Sequence, residues 1–104
     1  MNFPAAIAKQ PQINAEITEV VRLLAPDIVH IRYDIGQDWS GDWSIFFRVL
    51  LSDEASRENN LRRVTKQVVG KISERLDFSG LGLIPYFNFR SQSEQAEMRE
   101  PAWA

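Results

Sequence analysis

Apolar residues recur at Ile13, Ile17, Val20, Val21 and Leu24, spaced i, i+4, i+7, i+8, i+11. That is the stripe of an amphipathic helix. Pro11 suits the first turn, where a missing N–H is no loss. Pro26 closes the run, because the residue before proline avoids helical backbone. The spacing predicts a helix over 12–25. Ahead of it, residues 1–10 hold no period and include Pro4, so they are expected to form a loose arm.

The period then changes to two. Val29, Ile31, Tyr33 and Ile35 alternate with His30, Arg32 and Asp34, which predicts a half-buried strand. A second strand follows, with Trp43, Ile45, Phe47, Val49 and Leu51 on one face and Ser44, Phe46, Arg48 and Leu50 on the other. A seven-residue, mostly polar loop with Gly36 and Gly41 separates the two runs. An antiparallel hairpin is the simplest connection.

Helical spacing returns after Ser52, Asp53 and Glu54, residues suited to a helix start. Leu61, Val64, Val68, Ile72 and Leu76 form its seam. Gly70 within it costs about 1 kcal/mol relative to alanine, which points to close packing or a kink. Residues 77–82 break the pattern, and 83–90 read as a third strand with Phe87 and Phe89 inward. Ser91-Gln92-Ser93-Glu94 is a capping box opening a short helix that Pro101 ends. The order is α-β-β-α-β-α: a single α+β domain over 1–104, with a tail at 101–104. The expected architecture is a two-layer sandwich, a three-stranded sheet with two long helices on one face.

A chain of 104 residues can fold as one domain without metal or disulfide support. It has no cysteine, which excludes disulfides, thiolate metal sites and a cysteine nucleophile. The first residues lack the basic and apolar regions of a signal peptide. No apolar run approaches the roughly 18 residues of a membrane span, so a cytoplasmic protein is expected. The net charge of −2 argues against strong non-specific binding to nucleic acid. Six of the twelve basic residues lie in 57–75, but Glu58 and Glu74 among them indicate a solvated outer face.

Several chemistries can be set aside on residue order. Asp34, Asp38 and Asp42 recur every four residues, yet a calcium loop needs acids at alternate positions, then glycine and glutamate. His30 is the one histidine, placed mid-strand, and nothing surrounds a serine in the manner of a nucleophile elbow. Gly80-Leu81-Gly82 lacks the third glycine of a dinucleotide fingerprint and follows a helix rather than a strand. No catalytic residue, no metal site and no small-molecule cofactor is therefore assigned, and the chain is not read as an enzyme. The doublet Asp38-Trp39-Ser40 and Asp42-Trp43-Ser44 is expected to be a hairpin loop, with Trp43 inward and Trp39 outward.

One surface stands out. With the apolar strand faces against the helices, the opposite face shows His30, Arg32 and Asp34, then Phe46, Arg48 and Leu50, then Tyr86, Asn88 and Arg90. Arginine and aromatic residues are the types enriched at binding hot spots. The same mixture can hold single-stranded RNA. Alternatively, the short C-terminal helix folds over this face, or the face is simply solvated. Trp103 is too large an apolar group to stay free, so it must dock on its own core or on a partner. The candidate binding residues are Arg32, Phe46, Arg48, Tyr86, Asn88, Arg90, Trp39 and Trp103. The expected role is a non-catalytic interaction module that binds a protein partner or itself. An RNA-binding module is the alternative, distinguished by a steep loss of affinity with salt.

The segment IRYDIGQDWSGDWSIFFRVLLSD, with the element order of residues 20–90, resembles the minimal nucleotidyltransferase core. In that family a Gly-Ser pair precedes two acids separated by one residue. Here Ser40-Gly41-Asp42 stands where the acids would begin, and Trp43-Ser44-Ile45-Phe46 carries no Asp-x-Asp. The resemblance therefore implies a degenerate copy without the metal-binding pair, holding a binding role. Small proteins of this type commonly occur as partners in toxin–antitoxin pairs, which implies an antitoxin-like adaptor; a degenerate nucleotidyltransferase-like enzyme is the further alternative. The order also resembles KH-type RNA-binding domains, although no Gly-x-x-Gly loop lies between the helices.

Overall fold

Trp43–Leu51, the most apolar strand, is the middle of the sheet and is called β2. Ile28–Gln37 (β1) pairs with it antiparallel, and Ile84–Ser91 (β3) pairs with it parallel on the other side. The computed structural model describes residues 3–104. Two long helices, Gln10–Leu23 (α1) and Glu58–Arg75 (α2), pack on one face of this sheet. The parallel pairing of β2 and β3 requires a crossover, and α2 supplies it. Phe78–Leu81 (α3) turns the chain into β3, and Gln92–Met98 (α4) leaves it. The result is the α+β fold expected, with a mixed three-stranded sheet.

The core follows the helical seams and the alternating strands. Ile13, Ile17 and Val20 of α1 and Val64, Val68 and Ile72 of α2 are buried against Ile31, Ile45, Phe47, Val49 and Leu51. Across the strands the inward residues form rows, Ile31–Val49–Phe89 and Tyr33–Phe47–Phe87. Leu61, expected at the head of the α2 seam, is 38% exposed.

Several boundaries depart from the sequence reading. Pro11 falls in the first turn of α1, but that helix begins two residues earlier than its spacing suggests. The early residues are not a loose arm. Ala5–Lys9 make a 3-10 turn that buries Ala6 completely, and Phe3 packs on Trp43 with ring centroids 5.9 Å apart. Met1 and Asn2, the start of the proposed arm, lie outside the described residues. Residues 52–57 form turns before α2, with the Ser52 hydroxyl accepting from the Ala55 N–H at 3.1 Å. Asp53 accepts instead from the N–H and hydroxyl of Ser93 at 3.0 and 2.6 Å, so neither it nor Ser52 opens the helix.

Val29 is the clearest correction. Between Ile28 and His30 the pairing slips, with Ile28 opposite Leu51 and His30 opposite Leu50. One extra residue in a strand reverses the facing of everything before it. Ile28 is thus buried and Val29 is 37% exposed.

Gly70 marks neither a kink nor close packing. It is exposed, and a Cβ there would meet nothing within 4 Å. Gly70→Ala is expected to raise stability by about 0.5–1 kcal/mol through helix propensity alone. Thermal denaturation should show a midpoint roughly 2–8 °C higher; a lower midpoint would mean that the helix backbone needs glycine there.

Candidate interaction surface

Strand pairing arranges the second face of the sheet in four rows. They are His30–Leu50–Arg90, Arg32–Arg48–Asn88, Asp34–Phe46–Tyr86 and Gly36–Ser44–Ile84. This brings together six of the eight candidate residues; Trp39 and Trp103 come from elsewhere. The face divides in the middle. Its first two rows bind chain, and its last two join the hairpin loop.

The first two rows are covered in part: Arg32 and Asn88 stay exposed at the two edges. Pro101–Trp103 forms a 3-10 turn that lies on these rows, so of the two alternatives, an open face and one covered by the short C-terminal helix, neither holds as stated: the segment after that helix occupies it. Three successive backbone oxygens each accept from a different sheet side chain. Arg48 Nε donates to the Ala102 oxygen at 2.7 Å, His30 Nε2 to that of Trp103 at 2.8 Å, and Arg32 Nε to that of Ala104 at 2.9 Å. Because a carbonyl only accepts, Nε2 is the protonated nitrogen of His30.

Arg90 completes the grip. Its guanidinium carbon lies 4.3 Å from the centre of the Trp103 ring, a cation–π stack. Its two terminal nitrogens donate to Gln95 at 2.9 Å and Glu100 at 3.0 Å, which fixes its plane. Trp103 is 7% exposed as a result, and Leu50, flanked by His30 and Arg90, is 6% exposed. Arg48 also pairs with Asp34 at 2.7 Å. The capping box sets the exit of this segment: Ser91 accepts from the Glu94 N–H while Glu94 accepts from that of Ser91.

The other half of the face is organised by Asp38. β1 runs two residues further than its spacing suggests, leaving a loop of 38–42. Asp38 accepts from the hydroxyls of Ser40 at 2.7 Å, Tyr86 at 2.8 Å and Ser44 at 3.3 Å. It also accepts from the N–H groups of Ser40 and Asp42. Gly41 takes the positive φ, 88°, that this tight return requires. Tyr86 stacks on Phe46 with centroids 5.3 Å apart. The repeated Asp-Trp-Ser unit is thus a self-satisfied loop, with Ser44 fully buried at its base and Trp39 93% exposed at its tip. Trp43 is half-buried and packs on the core as expected.

These bonds act on both ionisable partners. The Ser40 hydroxyl, then the Tyr86 hydroxyl, hold the Asp38 carboxyl well below its ordinary 3.8. Donation to Asp38 pushes the Tyr86 phenol above its ordinary 10.0, with burial and the charges of Asp38 and Asp42 acting in the same direction. A depressed carboxylate stabilises the fold above 3.8 and loses that contribution as pH falls towards its folded value. A raised phenol stabilises below 10.0 and loses its contribution as pH rises through its folded value. Asp38→Asn is expected to melt lower than the natural protein above about pH 5, with the gap closing under more acid conditions. In the same variant the absorbance titration of Tyr86 should move down towards 10.0. A gap independent of pH would show that the Asp38 charge does not organise the loop.

Among the described residues, no three acidic or histidine side chains converge in a metal-holding group. A cleft of about 350 Å³ between the start of α1 and the end of α2 is lined by Lys9, Glu16, Arg75 and Asp77, with Arg75 and Glu16 bonded at 2.9 Å. Helical spacing within α1 and α2 gave no sign of this cleft, which exists only through their packing. Among the described residues, no helix is long and apolar enough to cross a membrane. Comparison with protein families, curated proteins and solved structures finds no match to the chain.

Proposed function

We propose that this chain is a non-catalytic protein-interaction module of the cytoplasm, and that its second sheet face is the binding surface. One observation carries the reading: His30, Arg32 and Arg48 grip three successive backbone oxygens while Arg90 covers an indole. Backbone oxygens held in register by side chains, with one aromatic anchor in a cation–π stack, is how a surface recognises a peptide. Residues 100–104 fill the place of such a peptide. An adaptor or antitoxin-like partner role fits this reading, because both need a face that takes hold of another protein rather than a reacting group.

Arg48→Ala with Arg90→Ala removes an oxygen grip and the indole cover together. In a tagged pull-down from native cells, treated with nuclease or not, the natural chain should retain a stoichiometric protein that the double variant loses. Circular dichroism of the double variant should remain that of the natural fold. Unchanged capture, or recovery of RNA alone that nuclease abolishes, would overturn the assignment.

A further inference from the structure

The occupied face also indicates what it selects. We infer that its ligand is a short peptide of a partner protein in which an acidic residue and a proline precede a tryptophan, and that this peptide must displace residues 100–104. The inference rests on the interaction-module reading above and specifies its ligand class.

The bound segment shows which groups are read. Trp103 and Ala104 donate their N–H groups back to the oxygens of Glu100 and Pro101, each at 3.1 Å. The turn thereby satisfies two of its own donors and presents its acceptors to the sheet. Proline suits the first position of that turn, since it has no N–H to satisfy and its φ is already fixed. Glu100 is tied to Arg90, and the indole lies beneath the same guanidinium. Ala102 and Ala104 are exposed, so their side chains are not selected, and Pro101, exposed as well, counts only for the turn it starts. What remains is an acid three residues before a tryptophan, with a proline-started turn between them.

The segment is also held in a way that permits exchange. Among residues 92–104, Trp103 alone is buried, and α4 buries none of its residues. Lifting the segment therefore uncovers one anchor, whereas opening a strand would disrupt the core. Segments with a single buried anchor open locally at far lower cost than the global fold. The linked segment competes with any incoming peptide, so apparent affinity falls by the fraction of time the face is free.

The test uses the full chain and a fluorescent peptide carrying residues 98–104. Trp103→Ala keeps the segment but removes its anchor, and should bind the peptide at least about tenfold more tightly than the natural chain does. Adding Arg90→Ala, or replacing the peptide's tryptophan with alanine, should weaken binding by about tenfold or more. In the natural chain, the amides of Trp103 and Ala104 should exchange with deuterium at least about a hundredfold faster than those of Phe47 and Val49, a result that does not depend on any variant folding. The inference is overturned by tail amides that exchange only with global unfolding, by no peptide binding, or by binding indifferent to the tryptophan. A concentration-dependent dimer of the natural chain that Trp103→Ala abolishes would also overturn it, since the occupant would then be a second copy's segment. If a protein is captured through Arg48 and Arg90 but the peptide does not bind, the surface stands and only the ligand class falls.

Discussion

Phe47→Ala is expected to be the most damaging single substitution in the chain, lowering stability by about 3–5 kcal/mol. Phe47 is fully buried at the centre of β2. Its ring lies 5.0 Å from Phe87 and 6.2 Å from Tyr33 along the cross-strand row, and 6.1 Å from Phe78 of α3. Three elements meet on one ring, so removing it leaves a cavity that no single neighbour can fill. Domains of this size hold about 5–15 kcal/mol in total, and the melting midpoint should fall by roughly 12–40 °C. Phe46→Ala is the control, one residue away on the opposite face. Phe46 is half-buried and stacks on Tyr86, and loss of an aromatic pair costs about 0.5–1.5 kcal/mol. Equal losses at the two positions would contradict the facing of the strand.

The alternation that separates Phe46 from Phe47 is visible in the sequence, and so are the α1 and α2 seams and the Ser91 capping box. Each depends on neighbours a few residues away, where period and local hydrogen bonding dictate structure. What escaped depends on partners far along the chain. Val29 continues a perfect alternation, and only its pairing with β2 reveals the extra residue. Residues 1–10 carry no period, and among the described ones the buried anchor, Ala6, is too small to make a pattern. Asp38 reads as one of three spaced acids, yet its role needs Tyr86, 48 positions away. The composition of the second face was legible residue by residue, and cover by the C-terminal part was one alternative, but the segment that covers it was not legible. Nothing local ties Arg32, Arg48 and Arg90 to residues 100–104; strand order has to align the three side chains before the turn has anything to bind.

Trp103→Ala measures how far that occupant belongs to the fold. A buried tryptophan truncated inside a core costs about 3–5 kcal/mol, and that is the ceiling here. The expected loss is smaller, about 1–3 kcal/mol, because a segment with one anchor can leave the sheet and its release limits the damage. Arg90, Arg48 and His30 then face water and regain hydration, so no buried charge is left unpaired. Two signals should accompany the change. The denaturant slope should decrease, since the variant has already exposed surface that the natural chain exposes only on unfolding. Tryptophan emission should move to the red, because the remaining indoles are Trp43, half-buried, and Trp39, 93% exposed. A loss at the ceiling with an unchanged slope would mean that the segment unfolds only with the sheet. In that event the arginines serve to build one rigid domain, and the face they line would not be free to exchange its occupant.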